Sequence, residues 1–239
     1  MQQDVAGTSV LAWGGEPVTE QPEPRAVLWD MDGTLIDSAE YHWLTWRDTL
    51  AELGHTLTHE QFASWFGQRN DAILRRYFGD GIAAGEVTRL GDAKEAAYRE
   101  MVRERGIEPL PGVRRWLLRL QETGWRQAVA SSAPPANIEV ILDVLGLRDC
   151  FDAWVSAEEV AHGKPAPDVF LRAAEKLDVA PARSVVVEDA PKGVEAGHRG
   201  GMRTIGLTSM ARALDADIVV ACLDELPDDA FDRLIADAR

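Results

Sequence analysis

Short apolar, β-branched runs recur along this chain, each separated from the next by an amphipathic stretch of helical length. Arg25–Asp30, Arg126–Ser131, Phe151–Val155, Ser184–Glu188, Arg203–Leu207 and Asp217–Ala221 are mostly apolar on both faces. Strands of a parallel sheet read that way because helices cover both of its sides. The amphipathic stretches Val113–Thr123, Ala136–Leu145, Pro167–Leu177 and Pro191–Gly200 lie between them. Strand and helix in alternation predict an α/β, doubly wound parallel-sheet (Rossmann-like) fold.

One interval breaks the rhythm. Between the first two strands the chain spends residues 38–111 on a region that reads as helical, far longer than one crossover. Tyr41, Leu44, Leu50 and Leu53 mark one helix ending at Gly54, and Thr58-His59-Glu60-Gln61 opens a second with a capping box. Ile73, Leu74, Tyr77 and Phe78 belong to a third, and Glu86 to Arg105 makes a long charged fourth. The expected organisation is a tail over 1–24, a core from 25–37 plus 112–239, and an inserted helical cap over 38–111. Hinges are expected near Asp37–Ala39 and Glu108–Gly112. Ligands bind at the carboxyl ends of parallel strands, so an insertion at that edge would sit over the site as a lid.

The strand ends carry the chemistry. The first closes on Asp30-Met31-Asp32-Gly33-Thr34. Two residues of separation would point both carboxylates the same way if the strand continued. Neighbouring acids repel unless a cation lies between them or one keeps a proton. Both conditions suit phosphoryl transfer, in which one carboxylate attacks and another moves protons. The second strand ends on Ser131, followed by Ser132, where a hydroxyl and the following amides can hold a phosphate oxygen. Lys164, in His162-Gly163-Lys164-Pro165, stands just before a helix and offers a compact charge. Glu188-Asp189 ends Val185-Val186-Val187 and adds carboxylates for a hard, oxygen-seeking cation.

These four segments, in this order and context, resemble the haloacid dehalogenase-like (HAD) hydrolase superfamily from about Arg25 to Leu226. Asp37-Ser38-Ala39-Glu40-Tyr41-His42, Gly163-Lys164-Pro165-Ala166-Pro167-Asp168 and Glu188-Asp189-Ala190-Pro191-Lys192-Gly193 are similar to its β-phosphoglucomutase-like branch, which has a small helical cap. The resemblance implies that Asp30 is the nucleophile and forms an aspartyl-phosphate, and that Asp32 is general acid, then general base. It implies Mg²⁺ held by Asp30, the Asp32 backbone carbonyl and Asp189, with Glu188 as a ligand or the partner of one. Ser131 and Lys164 would bind the transferring phosphoryl group. In the cap, His42, Arg69 and Lys94 match positions that line the mutase pocket, Arg69 as a clamp for a second phosphate. Haloacid dehalogenases and phosphonoacetaldehyde hydrolases keep no acid at the position of Asp32, so a phosphate ester is the expected substrate.

Three readings follow. The first is a Mg²⁺-dependent phosphatase for a small phosphorylated metabolite such as a sugar phosphate. The second is a sugar phosphomutase sharing the same first step. The third is a phospho-aspartate signalling module, which needs neither Asp32 nor a cap of this size. Well-known mutases carry a Ser-Lys pair two and three places after Ser131, where this chain has Ala133-Pro134. That departure favours the phosphatase, whereas His42, Arg69 and Lys94 favour the mutase.

Composition sets the remaining bounds. With 25 Lys and Arg against 40 Asp and Glu, the net charge of −15 argues against nucleic-acid and anionic-membrane partners. Cys150 and Cys222 are isolated and read as small core residues. No apolar run is long enough to span a membrane, and residues 1–24 lack the pattern of a signal peptide. A cytoplasmic monomer is the expectation.

Overall fold

The computed structural model describes residues 23–208 and 213–236. All but two residues of the expected 1–24 tail therefore lie outside the described residues. The elements run β1 (Ala26–Trp29), α1 (Ala39–Ala51), α2 (His59–Ala63), α3 (Asn70–Phe78), α4 (Ala84–Arg105), α5 (Val113–Glu122), β2 (Arg126–Ala130), α6 (Pro135–Leu145), β3 (Ala153–Val155), α7 (Asp168–Lys176), β4 (Ser184–Glu188), α8 (Pro191–Arg199), β5 (Arg203–Leu207), β6 (Ile218–Val220) and α9 (Ala230–Ala236).

Among the described residues the strands form one six-stranded sheet in the order β3-β2-β1-β4-β5-β6, every pair parallel. Period-2 alternation sorts the core into two layers. Val27 and Trp29 of β1 face a cluster completed by α5, α6 and α9, and Ala26 and Leu28 face the cluster under α7. Small residues at Ala26, Ala128 and Ala130 let α7 lie close to the sheet. The chain order runs outward from β1 to β3 and then returns to β4 on β1's other side. The carboxyl ends of β1 and β4 thus meet at the switch point, where such sheets open a crevice.

Helices α1 to α4 bury their own apolar cluster of Trp46, Leu50, Leu57, Phe62, Trp65, Ile73, Leu74, Val87 and Leu90. The expected capping box at Thr58 is present, with Gln61 N–H donating to Thr58 Oγ1 at 3.2 Å and Thr58 N–H to Gln61 Oε1 at 2.9 Å. The buried face of α1 differs from the expected one. It comprises His42, Thr45, Trp46, Thr49 and Leu50, while Leu53 lies beyond the helix and is exposed. The helix stops at Ala51, so its periodicity no longer applies to Leu53. The two connections to the core touch: Ile36 bridges Pro109, and Leu110 N–H donates to Leu35 O at 2.9 Å.

Sequence patterning missed α9, whose seven residues are too few for a clear helical period. Its Phe231 packs against Trp116, Trp125 and Trp29, with ring centroids 5.0, 5.9 and 6.2 Å away. Phe231→Ala should cost about 3–5 kcal/mol through lost burial and the cavity left behind. In a chain of this size that is a fall of roughly 10 °C in melting temperature. A calorimetric shift below about 3 °C would show that the core holds without this anchor.

Candidate active site

Because β1 and β4 pair side by side, the residues that follow them are neighbours; Asp30 N–H donates to Val187 O at 3.0 Å. Carboxylate oxygens of Asp30, Glu188 and Asp189 lie within 4.8 Å of one another, and all three residues are buried. Lys164 faces them. Its Nζ donates to Asp30 Oδ1 at 2.5 Å, Glu188 Oε1 at 2.8 Å and Ala130 O at 3.2 Å. Three acids thus face one ammonium. Burial, reinforced by Glu188 and Asp32, raises the Asp30 pKa to about 7 despite the opposing Lys164. Burial, with Glu188 and Asp30, raises Asp189 to about 8. Burial disfavours the charge on Lys164, but its carboxylate partners outweigh that and hold the ammonium well above its usual range.

This donor set fits a hard divalent cation, which offsets surplus carboxylate charge. Glu188 already accepts from Lys164 and, at Oε2, from Ala190 N–H at 2.7 Å. No ion pair to Asp189 occurs among the described residues. Two glycines make the crowding possible. Gly33 adopts φ +95°, and a Cβ there would overlap the Asp189 carboxylate. A Cβ on Gly193 would likewise occupy the space of the Glu188 carboxylate.

Strand β1 does not continue to Asp32, so the condition for a face shared with Asp30 is not met. The strand ends at Trp29, and Leu35 and Ile36 N–H groups return to Met31 O at 2.9 and 3.2 Å. This turn directs the Asp32 carboxylate toward the cap, outside the acidic cluster, so a metal role remains to Asp32 only through its backbone. Ser38 Oγ donates to Asp32 Oδ1 at 2.5 Å, and His42 Nε2 lies 3.3 Å from the same oxygen. Lys94 Nζ donates to His42 Nδ1 at 2.6 Å, which leaves the proton on Nε2, directed at Asp32. Tyr98 stacks on the imidazole at 4.0 Å and 8°. Burial works against the charge on Asp32, but His42, Ser38 and Lys94 outweigh it and hold this carboxyl below its ordinary range.

A cavity of 660 Å³ opens above these groups. Asp30, Asp32, Ser131, Ser132, Lys164, Glu188 and Asp189 line its core side, and Phe62, Phe66 and Gln68 its cap side. Ser131 ends β2, is buried, and accepts from Ala133 N–H at 3.1 Å. His42 and Lys94 line an adjoining 40 Å³ cavity together with Asp32 and Ser132. Arg69 lines neither. Its guanidinium meets Asp71 and Ala157 O, each at 3.3 Å, along the seam between cap and core. His59 lines the larger cavity, although sequence alone assigned it no site role.

Sequence reasoning also passed over Ser38, Glu95, Arg76 and Lys192. Ser38 carried a signal, a hydroxyl directly before α1, where caps occur. Its hydroxyl goes to Asp32 instead. Arg76 and Lys192 line the cavity; Arg76 has no distinguishing sequence context, and Lys192 lies in the Glu188–Gly193 motif without a role assigned to it.

A family model described as haloacid dehalogenase-like hydrolase matches residues 24–201. The β-phosphoglucomutase of Bacillus subtilis (strain 168) is 32% identical over 208 residues, covering 84% of this chain and 91% of the relative. The fructose-1-phosphate phosphatase YqaB of Escherichia coli (strain K12) is 34% identical over 182 residues, covering 75% and 94%. Among solved structures, CbbY of Rhodobacter sphaeroides in complex with phosphate superposes with a TM-score of 0.81 at 26% identity, covering 87% of this chain and 99% of that one. By the family model and these relatives, and in accord with its acidic cluster, its lysine and its six-stranded parallel sheet, the chain belongs to the haloacid dehalogenase-like hydrolase family.

Proposed function

We propose that the protein is a Mg²⁺-dependent phosphatase that hydrolyses a small sugar phosphate through an aspartyl-phosphate on Asp30. The observation that carries this reading is the division of labour between the two aspartates. Asp30 sits against Lys164 among buried acids, while Asp32 is held by Ser38 and His42 on the cap side of the same cavity. Asp30 attacks phosphorus, and Lys164, Ser131 and the amides after Ser131 stabilise charge on the equatorial oxygens. The leaving alkoxide takes a proton from Asp32. Asp32 is ionised at rest; an arriving phosphate anion raises its proton affinity, as any nearby like charge does, and Asp32 takes up a proton from solvent or from the substrate monoanion. Asp32 then takes a proton from the water that attacks the phospho-aspartate. Asp30 and Asp189 would hold Mg²⁺, with Glu188 bracing Lys164 and the loop at Ala190. When bound, the ion neutralises phosphate charge and sets the phosphoryl group toward Asp30.

A phosphomutase is the second reading, supported by the β-phosphoglucomutase relative and by the Lys94–His42–Asp32 ladder. Two features weigh against it. Ala133-Pro134 offers no side-chain donor for a second phosphate, and Arg69 is engaged outside the cavity.

The deciding experiment is ³¹P NMR with Mg²⁺, β-glucose 1-phosphate and a trace of β-glucose 1,6-bisphosphate, followed by fructose 1-phosphate. Release of inorganic phosphate is expected. Accumulation of glucose 6-phosphate without free phosphate would establish the mutase instead. In the same assay Asp189→Ala should raise the Mg²⁺ concentration for half-maximal rate by about 10–100-fold. An unchanged requirement would remove Asp189 from the metal site.

A further inference from the structure

Helix α4 presents two adjoining pairs at i,i+4 spacing, so each pair occupies its own stripe along the helix. Lys94 and Tyr98 form one, and both address the His42 ring. Glu95 and Arg99 form the other, and both address Asn137 on core helix α6. Asn137 is completely buried. Its Nδ2 donates to Glu95 Oε2 at 2.6 Å, and its Oδ1 accepts from Arg99 Nη1 at 3.0 Å. The amide is therefore read in one orientation, because a flip would set oxygen against carboxylate and NH₂ against guanidinium. Glu95 Oε1 accepts from Asn70 Nδ2 at 2.7 Å and from Lys94 Nζ at 2.9 Å. One buried carboxylate thereby joins α3 and α4 of the cap to α6 of the core.

We propose that Glu95 and Asn137 are positioning residues that latch the cap onto the core in the one register in which His42 reaches Asp32. The reason is geometric. Lys94 and Tyr98 hold the imidazole and share a helix with Glu95, and α4 packs with α1 in one cap cluster, so α4 cannot slide along α6 without carrying His42 away from Asp32. An apolar seam would tolerate such sliding, whereas a directional pair with both partners buried does not. A buried carboxylate that has lost one partner is costly, which penalises intermediate registers. Water re-satisfies the same groups when the cap lifts fully, so the latch selects register and leaves opening possible.

This inference rests on the proposed role of Asp32 as acid, and the test separates the two. The variants are Glu95→Gln, Asn137→Asp and the double Glu95→Gln/Asn137→Asp. Asn137→Asp sets carboxylate against carboxylate, and Glu95→Gln leaves one acceptor oxygen for donors on two sides, Asn137 on one and Asn70 and Lys94 on the other. The double change restores a donor to an acceptor and keeps Arg99 paired. Each single variant should lose about 10-fold or more in kcat on an alkyl phosphate. On p-nitrophenyl phosphate, whose leaving group needs little protonation, the loss in the burst rate of the first step should stay below about threefold. Hydrogen exchange in α4 and α6 should rise in the singles, and the double should restore both readouts to within about threefold of wild type.

Folded singles with unchanged substrate ratio and unchanged exchange would overturn the proposal. So would a double variant no better than the singles, because the charge beside Lys94 would then be what matters. If Asn137→Asp does not fold, Asn137→Ser removes both seam bonds without adding charge and is judged by the same two readouts. If the wild type cleaves no phosphate ester, the functional reading fails, and the exchange data alone decide the latch.

Discussion

Asp30→Asn abolishes turnover on every phosphate ester, by at least about 10⁴-fold, while the protein stays folded. The amide has nearly the carboxylate's shape but no nucleophilic oxygen, and Lys164 can still donate to its carbonyl. Stability should move the other way. Folded Asp30 keeps its proton up to about pH 7, whereas the unfolded group loses it near 3.8. The folded state therefore binds more protons across that window, and without divalent cation the wild type loses stability as pH rises through it. The substituted amide carries no such proton. At pH 8 without Mg²⁺ the variant should melt at or above the wild-type temperature. Residual turnover within about tenfold of wild type would make another group the nucleophile. A melt well below wild type would mean that the Lys164 ion pair outweighs the carboxylate repulsion.

Asp32→Asn separates substrates by leaving group. On a sugar phosphate, kcat should fall by about 10²–10⁴-fold, the usual worth of a positioned acid or base. On p-nitrophenyl phosphate, whose departing phenolate is stable without a proton, the first step should be nearly spared. The variant's amide keeps an oxygen for Ser38 and for His42 Nε2–H, so the difference reports the lost proton and not a collapsed loop. Equal losses in the first step on both substrates would show that Asp32 does not protonate the leaving group. A burst of p-nitrophenol with slow turnover would place its larger contribution in activating water.

Much of the core was legible because its signals are local. Six apolar strands, the turn at Asp30-Met31-Asp32-Gly33 and the capping box at Thr58 each declare themselves within a few residues. Their order along the chain then dictates which strand ends can meet. Asp30, Ser131, Lys164, Glu188 and Asp189 were for that reason legible in the sequence, and one cavity gathers them all. The cap was legible in outline only. Its helices were placed, but α1 buries a face one step round from the expected one, and α9 had too few residues to show a period.

What sequence alone determined, then, is the alternation that requires a doubly wound sheet, and the charges at its strand ends. Both follow from chain geometry with a period of two or 3.6 residues. Only the tertiary structure decided where side chains point once regular structure stops. Asp32 turns from the acidic cluster to Ser38 and His42 because β1 ends one residue before Asp30. Arg69 spends its guanidinium on Asp71 and a core carbonyl. Glu95 finds Asn137 forty-two residues away. Such pairings are set by how the cap lies on the core, and no local period in the chain encodes that.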